Sequence, residues 1–177
     1  MCARCRRGLS PHGLGLSVGP YEGGLRLLIH ELKFRGRQRV AERLAERILQ
    51  VPGCSSVLSR DAVLVPVPLH PRRRRERGFN QSELLAHAIG RRAGLRVAAE
   101  TLVRRTDTAP QTGLSRAGRR SNVAGAFAVR HRGSVSGRVT VLVDDVVTTG
   151  ATARACAKAL KAAGAAEVRL LTAARVE

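Results

Sequence analysis

The sequence predicts an α/β protein built on a parallel sheet with helices on its faces, and three observations predict it. Short apolar runs at 62–67, 139–143 and 168–172 have the length and the Val/Leu content of buried strands. Helical periodicity falls between such runs, at 82–94 and again at 152–163. Strands alternating with helices need crossover connections, and crossovers leave the strands parallel. A chain of 177 residues suffices for one compact domain with a small appendage, and it can bury a core without disulfides. Its 44% hydrophobic content excludes a disordered chain, and no apolar run approaches the ~18 residues of a membrane span. Pro11, Gly13 and Gly15 interrupt the basic N-terminus where a secretion signal would need an apolar stretch, so a cytoplasmic protein is expected.

Each element follows in order. Residues 1–20, rich in Gly, Arg and Pro, read as a tether or the remnant of a module. From 21 to 55, Leu25, Leu28, Ile29 and Leu32, then Val40, Leu44 and Ile48, recur at helical spacing. This predicts a hood of two helices broken at Gly36 and ended by Pro52–Gly53, with a linker at 53–60. The core spans 61–177. Its first strand, 62–67, runs into a loop stiffened by Pro66, Pro68 and Pro71. The helix at 82–94 carries Leu84, Leu85, Ala88 and Ile89 on its apolar face. A strand is expected within 96–103. Residues 104–125 read as polar and Arg-rich, with one helical turn after Ser115. The strand at 139–143, the helix at 152–163 stopped by Gly164, and the strand at 168–172 complete the chain.

Charge and cysteines narrow the function. Against 13 acidic residues stand 32 Lys and Arg, a formal net charge of +19. Of these cations only Lys33, Lys158 and Lys161 are Lys, a skew that fits a GC-rich codon bias. The deficit of carboxylates is not explained that way, and it predicts partners bearing phosphate, whether nucleic acid or polyanionic metabolites. The alternative is a solvated basic face. Cys2 and Cys5 form a single C-x-x-C, which is half of a four-ligand zinc site, and Cys156 sits in an apolar helical pattern as a small core residue.

The most informative segment is VLVDDVVTTGATA at 141–153. A strand leads into two carboxylates, then a Thr/Gly loop, then a helix. Adjacent strand residues face opposite ways, so Asp144 and Asp145 serve one ligand only if the strand ends there and the chain turns. Ligands of open parallel sheets bind at the carboxyl ends of the strands. Val147, Thr148, Thr149, Gly150, Ala151 and Thr152 supply hydroxyls and backbone N–H groups at a helix N-terminus, which suits a phosphate. With vicinal hydroxyls on the two acids, the ligand reads as a ribose 5-phosphate. Helix capping alone accounts for one acid, worth ~1 kcal/mol, but not for two.

This stretch resembles the phosphoribosyl-pyrophosphate (PRPP) signature of type I phosphoribosyltransferases. The remainder resembles one branch of them, the competence protein F (ComF/GntX) family, in YEGGLRLLIHELKFRG at 21–36, PVPLHP at 66–71 with RERGFNQS at 75–82, and QTGLSR at 111–116 with NVAGAF at 122–127. The resemblance implies a type I phosphoribosyltransferase fold with an N-terminal helical hood and a truncated, cysteine-containing tail. Members often open with two C-x-x-C pairs that bind zinc. Here Cys2 and Cys5 look like the second pair alone, so either translation starts further upstream or the metal has been lost, and zinc is not expected in this form.

The resemblance also implies roles. Asp144 and Asp145 would be the catalytic acids, and residues 147–152 the 5′-phosphate loop. Pro68, His70, Arg77, Asn80 and Gln81 would form the pyrophosphate and Mg²⁺ side. Gln81 is equally readable as a helix-start residue, and Arg72 to Arg75 as a loop that only steers anions. Gln111, Thr112, Ser115 and Arg116 would belong to a lid, in a stretch from 108 to 143 that has six Arg and no acid; a disordered basic loop is the other reading. His30 and Lys33 would approach the acceptor, or His30 would be structural. The implied reaction is Mg²⁺-dependent displacement at the ribose C1 of PRPP by an unknown acceptor. A PRPP sensor without turnover is the alternative, as is a protein that handles single-stranded DNA with the competence machinery, with a homodimer as a further expectation. Four aromatic residues give little base-stacking surface, so DNA binding would be mainly electrostatic.

Overall fold

The computed structural model describes residues 15–105 and 125–176. In chain order the elements are β1 (Gly15–Pro20), α1 (Gly23–Arg35), α2 (Gln38–Leu49), α3 (Cys54–Val57), β2 (Val63–Pro66), α4 (Pro71–Arg77), α5 (Gln81–Ala93), β3 (Arg96–Val97), β4 (Leu102–Arg104), β5 (Phe127–Val129), β6 (Val139–Val147), α6 (Ala151–Ala162) and β7 (Glu167–Arg175). The main sheet runs β1-β7-β6-β2-β3, and every neighbouring pair is parallel. β4 and β5 form a separate antiparallel ribbon.

Strand alternation divides the core in two. Val141 and Val143 of β6 face α1, α2 and α5, in a cluster with Ile29, Leu32, Leu44, Ile48, Leu85 and Ile89. Leu142, between them, faces α6 and packs with Val63, Val65, Cys156 and Leu160. Burying a Leu or Ile this fully contributes about 1.5–3 kcal/mol, so both faces of the sheet are firmly covered.

The expected hood is present as α1 and α2, broken where the sequence places the break. Gly36 adopts φ +57°, and a Cβ there would stand 2.6 Å from the Phe79 ring. Only glycine satisfies both the left-handed backbone and that approach. A further contact fastens the hood to the core: Glu42 of α2 is held by Arg91 and Arg92 of α5.

Five expectations are corrected. The tether does not extend through residue 20, because 15–20 form β1, paired from Gly15↔Leu170 to Pro20↔Arg175. The 53–60 linker contains α3. The stiff loop after β2 winds into α4, with Pro71 in its first turn and His70 as its N-cap. Finally, β6 does not end at 143. It continues through both aspartates to Val147, in register with β7 as Asp144↔Thr172 and Val146↔Ala174. The 96–103 strand is two short ones in different sheets. Cys2, Cys5 and the turn after Ser115 lie outside the described residues.

Candidate functional site

The carboxyl ends of β2, β6 and β7 open into a cavity of about 350 Å³. Backbone hydrogen bonds fix its rim: Val67 N donates to Val143 O (2.9 Å), Tyr21 N to Arg175 O (2.8 Å) and Val176 N to Val147 O (2.8 Å). The Pro-Val-Pro loop, the hood's first residue and the strand ends are thereby held as one surface.

Because β6 persists, its two acids part company. Asp144 lines the cavity. Its Oδ1 accepts from Ser82 Oγ at 2.9 Å and from the Asp145 amide at 2.9 Å. Asp145 turns to the hood face, where it is 4% exposed. Its Oδ1 accepts from the Val146 amide at 2.9 Å, and Lys33 Nζ stands 2.8 Å from Oδ2. That contact is an ion pair whose angles fall short of a hydrogen bond. The carboxyl of Asp144 has its pKa raised, chiefly by burial and then by the neighbouring Asp145 charge, while the Ser82 hydroxyl opposes the shift.

A short loop joins β6 to α6. Gly150 takes φ +71° and forms the N-cap of α6. Val147, Thr148, Gly150, Ala151 and Thr152 line the cavity. Thr149 does not; its hydroxyl accepts from Ala151 N at 3.4 Å and its carbonyl from Arg154 Nη1 at 2.9 Å. The first turn of a helix carries N–H groups without intrahelical acceptors, and here they border the cavity beside two threonine hydroxyls.

Of the residues expected on the pyrophosphate side, Pro68 and Gln81 line the cavity, whereas His70, Arg77 and Asn80 do not. His70 Nδ1 caps α4 by accepting from Arg72 N at 3.3 Å. Asn80 caps α5 through Ser82 N (3.1 Å) and donates to Val67 O (3.1 Å), so it positions the loop. Arg77 donates to Gln81 Oε1 at 2.6 Å. Burial lowers the Arg77 pKa; the Asp145 charge opposes this and Arg73 adds to it. Of the hood residues, Lys33 and Tyr21 reach the cavity. His30 is exposed on α1 and stacks against Phe34 with ring centroids 4.3 Å apart.

Sequence reasoning missed Ser82, Arg104 and Tyr21, and left Arg73 as one of four equivalent arginines. A small hydroxyl at the first position of the expected helix was a signal for Ser82. Arg104, which lies over the Phe127 ring at 5.6 Å and lines the cavity, had none. Gln111, Thr112, Ser115 and Arg116 fall outside the described residues. Among the described residues no three His, Cys, Asp or Glu side chains gather as a metal cage, and no helix is long and apolar enough to cross a membrane.

Known proteins match this architecture. A family model described as phosphoribosyl transferase domain matches residues 82–176. DNA utilization protein YhgH of Salmonella typhimurium is 39% identical over 172 residues, which is 96% of this chain and 75% of that protein. Competence protein F of Haemophilus influenzae is 29% identical over 178 residues, 98% and 78% of the two chains. Among solved structures, the allosteric regulatory enzyme of purine biosynthesis superposes with a TM-score of 0.53 at 21% identity, over 81% of this chain and 30% of that one. Glutamine PRPP amidotransferase from B. subtilis, complexed with ADP and GMP, gives 0.51 at 22% identity, over 80% and 30%. The chain thus spans under a third of those two enzymes, and the likeness concerns the fold. By sequence and by architecture, the chain belongs to the phosphoribosyl transferase domain family with the type I fold, alongside competence protein F and the DNA utilization proteins.

Proposed function

We propose that the cavity binds PRPP and that the protein transfers its phosphoribosyl group to an acceptor. The observation that carries this is the meeting, in one cavity, of the helix-start loop 147–152 with a carboxylate and several cations. The loop's N–H groups and the hydroxyls of Thr148 and Thr152 would take the 5′-phosphate. Asp144 would accept from ribose hydroxyls, and its charge would favour the oxocarbenium-like state at C1. Arg73, Lys33 and Arg104 would face the diphosphate, and Gln111, Thr112, Ser115 and Arg116 would close over it. His30 points elsewhere and has no role in this reading.

Mg²⁺ fits the donor set. This ion keeps most of its waters and needs only one or two carboxylates beside substrate phosphates, which Asp144 at the cavity wall satisfies without a protein cage. When bound, it would neutralise charge on the departing diphosphate. Its presence would also draw the raised pKa of Asp144 back down, keeping the carboxylate ionised.

The test is calorimetric titration with PRPP and Mg²⁺, beside Asp144→Asn, followed by assay of pyrophosphate release. Heat in the wild type that is lost in the variant supports the reading. Heat without pyrophosphate release across acceptor pools favours a PRPP sensor. The hood at 21–55 and the core at 61–177, the latter joined in its sheet by the strand at 15–20, the cytoplasmic location and a homodimer belong to the same proposal.

A second reading has its own support. The +19 charge, the exposed arginines of α4, and relatives named for DNA utilization and competence favour binding of single-stranded DNA. Such binding would be electrostatic and would fall steeply with salt. Anisotropy of a labelled oligonucleotide between 50 and about 200 mM salt tests it, and affinity that survives the higher salt contradicts it.

A further inference from the structure

The outer face of α1 is not built like a solvated helix face, which would carry polar side chains. Leu27 and Phe34 are 69% and 66% exposed, the two most open large apolar side chains among the described residues. Seven residues apart, they stand almost two turns and about 10 Å from each other on one side of the helix. His30 lies between them, exposed, with ring centroids 4.3 Å apart where it stacks on Phe34. Single apolar side chains are ordinary on a surface, but an aligned pair backed by an imidazole forms a stripe. The other sides of α1 are already used: Ile29 and Leu32 enter the core, and Lys33 reaches the cavity at the strand ends.

A groove of about 440 Å³ lies beside this stripe, lined by Leu28 from α1 and by Arg43, Glu46, Arg47 and Gln50 from α2. Its charge is positive, two arginines against one glutamate. One turn along α1 from Leu28, Glu31 is shared by Arg35 and Arg37 at 3.5 Å each, so there too two cations meet one carboxylate. Glu22, Arg26 and Arg39 are the remaining exposed charges between residues 22 and 50. The hood's surface thus carries six arginines and three glutamates. Lys33 and Glu42 add nothing to this balance, being spent on Asp145 and on Arg91 and Arg92.

We propose that this face of the hood docks an acidic amphipathic helix of another protein. Its apolar side chains pack on Leu27 and Phe34 and beside Leu28, and its carboxylates meet the arginines of α1 and α2. An amphipathic helix laid into a groove is a recurring mode of recognition. Charge selects the occupant. A second copy would bring the same positive surface to the contact and be repelled, whereas an acidic helix is attracted. Neither Leu27 nor Phe34 lines the cavity at the strand ends, so the two sites fill independently, and the proposal does not rest on the PRPP reading.

Fluorescence anisotropy with two labelled peptides tests this. Both have about 18 residues, enough for a helix to form alone, with Leu at helical spacing. One carries Glu at its polar positions and the other Lys. The Glu peptide is expected to bind the full chain and the Lys peptide is not. Leu27→Ser combined with Phe34→Ser should weaken the Glu peptide roughly tenfold or more. Arg43→Glu combined with Arg47→Glu should weaken it comparably and admit the Lys peptide, a gain of binding that misfolding cannot produce. Failure of the Glu peptide to bind the wild type overturns the proposal. So does equal binding by the serine variant, which would mean that net charge alone attracts the peptide. Self-association by light scattering that the serine variant abolishes would give the face to a second copy. An oligonucleotide that binds the wild type and not the serine variant would give it to nucleic acid. Either result also overturns the proposal.

Discussion

Asp144 and Asp145 are consecutive in sequence, yet the sheet assigns them to different environments. Asp144 opens onto the cavity, touches a serine hydroxyl, and has its proton affinity raised by burial and by its neighbour. Asp145 lies under the hood, sealed from solvent and matched by an ammonium. Continued four residues further than expected, β6 carries both acids, with Asp144 lining the cavity and Asp145 against Lys33. Neighbours in sequence can therefore meet different surroundings where the backbone is extended.

That contrast can be broken from the sealed side first. Lys33→Met leaves Asp145 buried without its partner and should cost on the order of 3 kcal/mol by chemical denaturation, at the low end for buried pairs because Lys33 is partly exposed. Adding Asp145→Asn should recover most of the loss. If Lys33→Met alone is as stable as the wild type, Asp145 is not sealed.

The open side should show itself through pH. Asp144 has a folded pKa above its unfolded value, so between the two values the folded chain holds a proton that the unfolded chain has released. Its contribution is therefore most favourable in acid. It declines as pH rises from the ordinary carboxylate range towards the raised folded pKa, and is constant beyond it. Asp144→Asn should remove this decline and be more stable than the wild type at neutral pH. Melting temperatures across pH 4–9 would check the sign (~4 being the ordinary Asp value), and a wild-type profile identical to that of the variant would refute it.

Gly36→Ala tests how the hood closes over the sealed acid. It forces a Cβ into the Phe79 ring at a left-handed backbone position, and a loss of about 2 kcal/mol is expected. Gly94→Ala, with φ +67° but nothing within 4 Å, should cost roughly half as much, and equal losses would mean that the ring contact is unimportant. The smallest effect belongs to Ser82→Ala. Removing a hydroxyl that lowers the Asp144 pKa should cost about 1 kcal/mol and move the pH dependence upward.

Much of this was legible in the sequence. The apolar runs at 62–67 and 168–172 and the periodic helices at 82–94 and 152–163 reported burial directly, and burial decides those elements. The Thr/Gly loop was legible because its chemistry and its position after a strand agree. Illegible parts share a physical cause. α4 is polar on all sides, so no period marks it, and its evidence lay in Pro71 and the cap at His70. β1 is a Gly-rich edge strand whose structure comes from pairing with β7, residues distant in sequence. Val146 and Val147, β-branched and directly after the two acids, were the available sign that β6 continues. The cavity position of Arg104 depends on the ribbon formed with β5, which no local pattern encodes.

The order of strands also bears on how the molecule is made. β7 is the last of the described strands to leave the ribosome, yet it lies between β1 and β6. Until it arrives, β1 has no neighbour to pair with, and the apolar face that Leu171 and Ala173 complete stays open. The sheet therefore closes only after synthesis has passed residue 175, through contacts some 155 residues apart such as that of Ser17 with Thr172. Long-range closure of this kind is slow and exposes nascent chains to aggregation, so truncation within β7 should yield insoluble protein and not a smaller working one.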